Sequence, residues 1–421
     1  MSEPLIFLSA GEASGERYGA LLIEEMKRTE PGAQFFGLCG ERMAALGCEA
    51  VARSEDVAVM GITEVIAHMP RIYAAFRRLK RAIRERRPQV AVLIDFPDVN
   101  LRLAEALSRQ GVPVIYFVSP QLWAWKKRRI ERVRRFVSRM LVIFPFEEQF
   151  YDERGVEAEF VGHPLAELPL PEVSRAEFAS RWGLDAGKRW IGLLPGSRAR
   201  EIGLNLPEML SAARLLDDGR TEFVLPLAAT LREADRRGTR AMVDEAGMAA
   251  TVRVVDDARG ALHHARASMV ASGTATVEAA LMGNPFVVVY RVSRLTYAIA
   301  QRVVTVPHVA MVNLVAERRV VPELIQDAFT AEAVVAALRP LLADGVERER
   351  MIEELGAVRA RLRGDGNAIA RLASHAIACS RHTTDAAPGG GSGASIESAR
   401  TSAVCDETNR GKAAADGGKW V

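Results

Sequence analysis

Two carboxylates, three positions apart, follow an apolar run that is typical of a buried strand. The run extends from Val90 to Asp95, and Asp98 comes directly after Pro97, whose ring restricts the loop backbone. Ligands of open α/β sheets bind beyond the carboxyl ends of the strands, so Asp95 and Asp98 are expected where chemistry takes place. Asp98 could act as a general base, or Asp98 and Asn100 could cap the next helix. The pair does not predict a metal site, because no third or fourth ligand accompanies it.

Residues 190–201 combine an apolar run with a turn and an arginine. Their sequence, Trp-Ile-Gly-Leu-Leu-Pro-Gly-Ser-Arg-Ala-Arg-Glu, predicts a strand from Trp190 to Leu194, a tight turn, and a helix that Ser197 caps. Arg198 would then lie at a helix start, where backbone N–H groups attract anions and a guanidinium adds donors suited to a phosphate. The alternative is an ordinary turn with a solvated arginine.

A third turn has the composition of a diphosphate site. Ser272, Gly273 and Thr274 join a predicted strand to a helix and could present N–H groups and hydroxyls to two phosphates. Glu278 lies one turn into that helix, where its carboxylate could accept hydrogen bonds from both hydroxyls of a ribose. Asn313 is predicted in a loop after an apolar stretch, and its amide could orient a substrate or fix the loop.

The elements that position these residues alternate between strands and helices. The first strand, Leu5 to Ser9, leads into the turn Gly11-Glu-Ala-Ser-Gly15, which lacks the spacing of a dinucleotide fingerprint, so NAD binding is not predicted. Near-continuous apolar strands separated by helices are typical of parallel, doubly wound sheets. Strands are predicted at Leu5–Ser9, Gln34–Cys39, Val90–Asp95, Val114–Val118, Met140–Phe144, Trp190–Leu194, Glu222–Leu225, Val252–Val255, Ala267–Ala271 and Phe286–Tyr290.

The alternation restarts after a Pro-rich segment near residue 165, which predicts an α/β chain of two Rossmann-like domains facing a cleft. The first domain is expected to be the acceptor side and to cover residues 1–168. The second, at 169–382, is expected to hold a nucleotide, and its last helices could pack back on the first domain. Residues 383–421 are rich in Ala, Gly and Ser and are predicted to be disordered.

Composition and charge limit the classes of protein to which this chain can belong. The chain has 56 basic and 53 acidic residues, and a net charge of +3 gives no general case for nucleic-acid binding. Its 4 cysteines form no C-x-x-C pair, so neither a zinc site nor a disulfide framework is indicated. The start lacks the basic region of a signal peptide and no run reaches transmembrane length. A reduced cytosolic protein is therefore expected.

Positive charge is concentrated in two segments. Residues 60–87 combine an apolar helical stripe with eight basic side chains, which suits a helix on an anionic membrane surface. The alternative is a surface helix that packs its stripe on the sheet. The second patch, residues 126–135, lies beside Trp123 and Trp125 and could hold a phosphorylated or membrane-bound substrate. Basic and aromatic residues together also suit nucleic acid, which nothing else in the sequence supports.

Six motifs, in this order, resemble the lipid-A-disaccharide synthase family, which comprises inverting glycosyltransferases of the two-Rossmann (GT-B) type, family 19. The likeness extends from about Leu5 to about Ala378. The motifs are Gly11-Glu-Ala-Ser-Gly, Asp95-x-Pro-Asp-x-Asn100, Val118-Ser-Pro-Gln-Leu-Trp-Ala-Trp125, Leu194-Pro-Gly-Ser-Arg-x-x-Glu201, Ala271-Ser-Gly-Thr-Ala-x-x-Glu278 and Asn313-Leu.

The resemblance implies transfer of a sugar from UDP-2,3-diacylglucosamine to 2,3-diacylglucosamine 1-phosphate (lipid X). The implied products are a β-1,6-linked disaccharide 1-phosphate of lipid A biosynthesis and UDP. No metal and no cofactor are implied. The family works at the inner face of the cytoplasmic membrane of Gram-negative bacteria, which implies an anionic membrane surface as a partner, and a homodimer is expected.

The resemblance also assigns roles to residues. Asp98 matches the family's proposed base and would remove the proton of the acceptor 6-hydroxyl, while Arg198 matches an essential arginine and would stabilise the departing UDP. Glu16 stands where the family usually has Asp and is left out of the site. The other implied substrate and nucleotide contacts are Ser14, Asp95, Ser197, Glu201, Ser272, Gly273, Thr274, Glu278 and Asn313.

Two other functions fit parts of the same pattern. A UDP-N-acetylglucosamine 2-epimerase would share the nucleotide half but would not need an arginine-flanked apolar helix for lipid. A membrane-associated protein that senses a nucleotide without catalysis would bind UDP-sugars and would tolerate loss of Asp98.

Overall fold

Two parallel β-sheets, each flanked by helices, make up the protein. The computed structural model of the chain describes residues 3–54, 62–124, 129–303 and 306–385. The first sheet has seven strands in the order β3-β2-β1-β4-β5-β6-β7, and all neighbours are parallel. Its strands are β1 (Leu5–Ala10), β2 (Gln34–Cys39), β3 (Cys48–Arg53), β4 (Val90–Ile94), β5 (Val114–Phe117), β6 (Arg139–Val142) and β7 (Ala158–Phe160).

The second sheet repeats the arrangement with six strands. Its order is β10-β9-β8-β11-β12-β13, again with parallel neighbours throughout. Its strands are β8 (Arg189–Leu194), β9 (Thr221–Pro226), β10 (Val252–Val255), β11 (Ala267–Ala271), β12 (Phe286–Tyr290) and β13 (Glu323–Ile325). Strand order reverses beside β1 in the first sheet and beside β8 in the second, and such switch points hold the ligands of doubly wound sheets. The predicted fold of two Rossmann-like domains is therefore confirmed.

Helices cover both faces of the two sheets, because crossovers between parallel strands need connections of this length. On the first sheet they are α1 (Ala13–Thr29), α2 (Glu41–Ala45), α3 (Ile62–Arg86), α4 (Pro97–Ser108), α5 (Ile130–Phe136) and α6 (Pro145–Asp152). The later helices are α7 (Arg175–Trp182), α8 (Ala199–Leu216), α9 (Glu233–Glu245), α10 (Ala258–His264), α11 (Thr274–Leu281), α12 (Arg294–Val303), α13 (Met311–Ala316), α14 (Ala331–Leu342), α15 (Val346–Arg363) and α16 (Ala368–Asp385).

Each predicted strand matches an observed one within two residues at either end, whereas β3, β7 and β13 were missed. These three lie at sheet edges, and two of them have only three residues, so they lack the continuous apolar run of a central strand. The predicted loop around Asn313 is wrong: this residue lies within helix α13. The central strands β4 and β11 are buried along their whole length, as their apolar sequences require.

The last helix of the described chain, α16, packs on the first domain against α1. His375 lies 3.0 Å from Glu159 of β7, and Arg371 is 2.6 Å from the same carboxylate. Hydrogen bonds from His375 and Arg371 lower the pKa of the Glu159 carboxyl to about 2. Arg381 pairs with Glu30 at the end of α1. The chain thus crosses from the second domain back to the first.

Three sequence predictions fall partly outside the described residues. The predicted disordered tail lies outside them from residue 386, and so do residues 126–128 of the second basic patch. Of the amphipathic segment at 60–87, residues 60 and 61 and the side chains of 62–69 lie outside. Among the described residues, every helix is too short or too polar to span a bilayer.

Candidate active site

A left-handed turn follows β4 and holds Asp95. Asp95 and Phe96 both have φ of +47°, a conformation that L-residues rarely adopt. The carbonyl of Asp95 accepts hydrogen bonds from Asn100 Nδ2 at 2.7 Å and from the Tyr116 hydroxyl at 2.6 Å. Asn100 is fully buried, and its Oδ1 accepts from the Ser9 hydroxyl at 2.6 Å. This buried network stabilises the strained turn and fixes the direction of the Asp95 side chain.

The ring of Phe96 lies against the first glycine turn. A Cβ atom added to Gly11 would lie 2.2 Å from a ring carbon of Phe96, so only glycine fits at this position. The contact brings the loop after β1 beside the loop after β4, as expected for adjacent parallel strands. Glu12 and Asp95 consequently come close enough to interact electrostatically.

Asp95 has an unusual acidity. Burial raises the pKa of its carboxyl from 3.8 to about 7, and the negative charge of Glu12 acts in the same direction. The N–H of Phe96 and the cation of Arg198 oppose the rise. A carboxyl with a pKa near neutrality can accept a proton and release it again at the pH of a cell.

Asp98 is in a different environment, although it is only three residues away. It lies in the first turn of α4, and its side chain is 70% exposed. The carboxylate forms an ion pair with Arg129 of the second basic patch. The structure therefore suits Asp98 to holding a substrate together with Arg129.

Two ion pairs cross the cleft between the domains. Arg198 of the second domain lies 3.6 Å from Glu12 of the first, and Arg17 of α1 lies 3.6 Å from Glu278 of α11. Each pair joins the helix start of one domain to that of the other. The carboxyl ends of β1 and β4 therefore face those of β8 and β11, with charged side chains of both signs between them.

The turn that carries Arg198 is shaped by glycine and by an acid. Gly196 has φ of +125°, and an added Cβ would lie 2.6 Å from the Glu201 carboxylate. Glu201 accepts the N–H of Ser197 at 3.1 Å and lies 3.4 Å from Arg198. The prediction that Ser197 caps the helix is wrong, because Arg198 occupies the N-cap position. The Glu201 carboxylate, and not the Ser197 hydroxyl, accepts a backbone N–H of the turn.

The predicted diphosphate turn begins a helix as expected. Helix α11 starts at Thr274, and its N-cap Gly273 has φ of +143°. The Ser272 hydroxyl donates to the carbonyl of Val309 at 3.1 Å, which ties the turn to a neighbouring loop. The first N–H groups of a helix have no intrahelical acceptor and attract anions. This turn can therefore bind a phosphate group.

Glu278 lies next to that helix start and is 21% exposed. Burial raises the pKa of its carboxyl, whereas the positive charges of Arg17 and Arg259 lower it. Tyr18 extends from α1 toward the same place, and burial followed by the charge of Glu278 raises the pKa of its hydroxyl. Carboxylate, guanidinium and phenol groups thus converge at the cleft.

Sequence reasoning missed four residues of this cluster: Glu12, Arg17, Tyr18 and Arg259. Glu12 stands inside the glycine turn and Arg17 and Tyr18 in the first turns of α1, so closeness to that turn was the available signal. Arg259 follows β10 and had no signal, because only folding brings α10 beside α11.

The other predicted positions differ in their access to the cleft. Ser14 lies partly exposed in the first turn of α1. Asn313 is fully buried, and its Oδ1 accepts the N–H groups of Val320 and Val321 at 2.8 and 2.9 Å. Its Nδ2 donates to Glu323 at 2.8 Å. Asn313 therefore stabilises the segment before β13. The described ranges contain no group of three His, Cys, Asp or Glu side chains that could hold a metal ion.

The chain is similar to proteins of one family over most of its length. The model of the lipid-A-disaccharide synthetase family matches residues 6–374. The lipid-A-disaccharide synthase of Acidobacterium capsulatum is 63% identical over 88% of this chain and 95% of its own. That of Koribacter versatilis is 50% identical over 85% of this chain and 93% of its own.

Solved structures share the fold at low sequence identity. A UDP-GlcNAc 2-epimerase from Neisseria meningitidis bound to UDP-GlcNAc superposes with a TM-score of 0.61 at 11% identity, covering 90% of this chain and 100% of that one. The calicheamicin glycosyltransferase CalG4 gives 0.55 at 17%, covering 92% and 100%. The length and identity of the sequence matches decide the family, and this chain belongs to the lipid-A-disaccharide synthase family of glycosyltransferases.

Proposed function

We propose that this chain transfers the sugar of UDP-2,3-diacylglucosamine to the 6-hydroxyl of 2,3-diacylglucosamine 1-phosphate, lipid X. The products are the β-1,6-linked lipid A disaccharide 1-phosphate and UDP. One observation carries the proposal: Arg198 of the second domain pairs with Glu12 across the cleft, within electrostatic reach of the buried carboxyl of Asp95. Family membership supports the choice of donor and acceptor.

Asp95 is the proposed base. Its carboxylate accepts the proton of the acceptor 6-hydroxyl while that oxygen bonds to the anomeric carbon of the donor. The bond from this carbon to the β-phosphate oxygen breaks, UDP leaves with the electron pair, and the configuration inverts. Support comes from the raised pKa of Asp95 and from its fixed turn. Asp98 was the sequence-based choice, but its exposure and its pairing with Arg129 favour a role in holding the acceptor.

The second domain stabilises the leaving group. Arg198 and the N–H groups at the start of α11 supply positive charge where charge develops on UDP, a contribution of about 3 kcal/mol for each such contact. Ser272, Gly273 and Thr274 contact the diphosphate, and Glu278 accepts the ribose hydroxyls. This assignment relies on the helix start of α11 and on the partly buried carboxylate one turn further along. The reaction as proposed uses no metal and no cofactor.

The outer face of α3 is the proposed membrane contact. Tyr73 is 61% exposed there, and the exposed side chains around it include Arg71 and Arg77. Beside it, a cavity of about 600 Å³ lies between α3, α4 and α5, and its basic lining includes Lys80 and Arg84. Aromatic and basic side chains together favour an anionic lipid surface. The enzyme is thus proposed to act at the cytoplasmic side of the inner membrane, as a homodimer.

The first test is turnover in the presence of EDTA. The purified chain is incubated with UDP-2,3-diacylglucosamine and lipid X, and disaccharide and UDP are followed by mass spectrometry. Disaccharide that forms in wild type but not in Asp95→Asn supports the assignment. UDP release without disaccharide would indicate hydrolysis or an epimerase-like reaction, and binding of UDP without consumption would indicate a sensing protein.

The membrane contact and the dimer have separate tests. Flotation with phosphatidylglycerol vesicles should carry wild type upward at low salt and should weaken for Tyr73→Ser combined with Arg77→Gln. Arg240→Gln, an exposed change on α9, is the matched control. Equal flotation of all three proteins would contradict the proposed face.

Light scattering after size exclusion measures the mass of the protein in solution, and the mass of a monomer would contradict the proposed homodimer.

A further inference from the structure

A basic cavity of about 540 Å³ lies at the amino ends of the central strands β8 and β11, at the end of the second sheet opposite to the cleft. Its lining includes Arg189 at the first position of β8 and Arg266 immediately before β11. The cleft lies at the carboxyl ends of these two strands, so the length of the sheet separates the two places. The cations that line the cavity, here called the β8-edge cluster, are Arg175, Lys188, Arg189, Arg266 and Arg348.

Three of these five cations have a carboxylate partner. Arg189 lies 2.7 Å from Asp218, Lys188 lies 3.7 Å from Glu222, and Arg266 pairs with Asp344. Arg175 and Arg348 have no carboxylate within 4.0 Å among the residues that the structure describes. The cluster therefore carries two positive charges beyond its paired acids.

The two unpaired guanidiniums are held in place by neutral groups. Arg175 donates to the carbonyls of Lys188 and His264, both at 2.6 Å, and lies 3.6 Å above the ring of Trp190. Arg348 donates to the carbonyls of Arg266 at 2.5 Å and Leu341 at 2.9 Å. Burial lowers the pKa of both guanidiniums; at Arg348 the charge of Arg266 acts in the same direction and the charge of Asp344 opposes it.

Carbonyl groups satisfy N–H donors of Arg175 and Arg348 but carry no net charge, so an anion is still needed to balance the two positive charges. Two fixed guanidiniums that border one cavity match the charge of a phosphate dianion, and guanidinium donors suit phosphate oxygens. Trp190 is fully buried below Arg175 and offers no open ring face to a nucleobase. The recognised chemistry is therefore a phosphate group and not a base.

We infer that the β8-edge cluster is a binding site for a small phosphate-bearing anion of at least two negative charges, separate from the catalytic cleft. The source of the phosphate could be a free metabolite or a lipid headgroup, since both present the same oxygens. A bound anion would link three elements through these cations. Arg175 lies at the start of α7, Lys188 directly before β8 and Arg348 in the first turn of α15.

The test titrates inorganic pyrophosphate by calorimetry into the full-length protein and into Arg198→Gln, which lacks the guanidinium of the cleft. We expect one site that Arg198→Gln leaves within twofold of wild type and that Arg348→Gln and Lys188→Gln each weaken tenfold or more. Arg240→Gln removes an exposed charge on α9 and should leave the affinity within twofold of wild type. Thermal unfolding of each variant reports whether the fold is intact, and Lys188→Gln keeps the test valid if Arg348→Gln fails to fold.

A second arm distinguishes the sources of the phosphate. Phosphatidic acid vesicles that bind wild type better than Lys188→Gln, with no pyrophosphate binding, would assign the site to a lipid headgroup. Pyrophosphate binding without a vesicle effect would assign it to a soluble anion. Loss of pyrophosphate binding in Arg198→Gln, equal pyrophosphate affinity of wild type, Arg348→Gln and Lys188→Gln, or no binding in either arm would overturn the inference.

Discussion

Replacing Asp95 by Asn removes the carboxyl whose pKa the fold raises from 3.8 to about 7. Loss of a general base costs about 10²–10⁴ in turnover, so kcat should fall by that factor while UDP binding is retained. In wild type, kcat/KM should increase with pH and level off above an apparent pKa of about 7. Asp98→Asn is the matched control, because it changes the same functional group three residues away. It should raise KM for the acceptor more than it lowers kcat.

The same change has a consequence for stability whose sign follows from proton linkage. Between pH 3.8 and about 7 the unfolded chain has lost this proton and the native protein retains it. Because the native state then binds more protons, the free energy of unfolding of wild type falls as pH rises through this window. Three pKa units correspond to at most about 4 kcal/mol. Asn does not titrate, so Asp95→Asn should be more stable than wild type at pH 8 and equal to it near pH 3.5.

Urea unfolding at several pH values and initial rates of UDP release measure the two effects independently. Near-normal turnover of Asp95→Asn would refute the assignment of the base. A stability difference that does not vary with pH would refute the raised pKa, even if turnover were lost. Loss of turnover in Asp98→Asn at unchanged KM, with Asp95→Asn active, would return the base to Asp98.

Three further predictions concern the turns of the site. Gly11→Ala would place a Cβ atom 2.2 Å from the Phe96 ring. Overpacking of this kind lowers the free energy of unfolding by about 1–3 kcal/mol, which urea unfolding measures. An unchanged urea midpoint would contradict the close contact. Asn100→Ala should lower the free energy of unfolding by about 1–3 kcal/mol and should also lower kcat, because it removes the amide that holds the Asp95 turn. A normal kcat would show that the turn does not need this amide. Glu278→Gln should weaken UDP binding about tenfold, as measured by calorimetry, since hydrogen bonds to charged groups contribute about 1.5–3 kcal/mol. Equal UDP affinity of the variant and wild type would exclude Glu278 from the ribose site.

Periodicity and turn chemistry were sufficient for the architecture. Strands such as β4 and β11 are buried on both faces, so their sequences are apolar throughout and predict a parallel sheet without further information. The turns at Gly196 and Gly273 were recognisable because a positive φ there requires glycine. The edge strand β3 escaped prediction because exposed residues interrupt its apolar positions.

Local sequence was insufficient to assign different roles to two similar carboxyl groups. Asp95 and Asp98 are the same residue type on one loop, and their sequence context did not separate a base from a binding group. Their difference comes from burial beside Glu12 in one case and from an exposed pair with Arg129 in the other. Both partners lie far away in the sequence, so no pattern in a short window could contain them.

The sequence by itself determined the sheets, the turns that begin the helices at the cleft, and the family, because these depend on neighbouring residues and on ordered motifs. The tertiary structure alone decided which charges meet. Glu12 joins Arg198, and Arg17 joins Glu278, only when two domains close on one cleft. Electrostatic energy depends on distance and on exclusion of water, and both are properties of the folded chain. The acidity of Asp95 and the unpaired charge of the β8-edge cluster are therefore products of the fold.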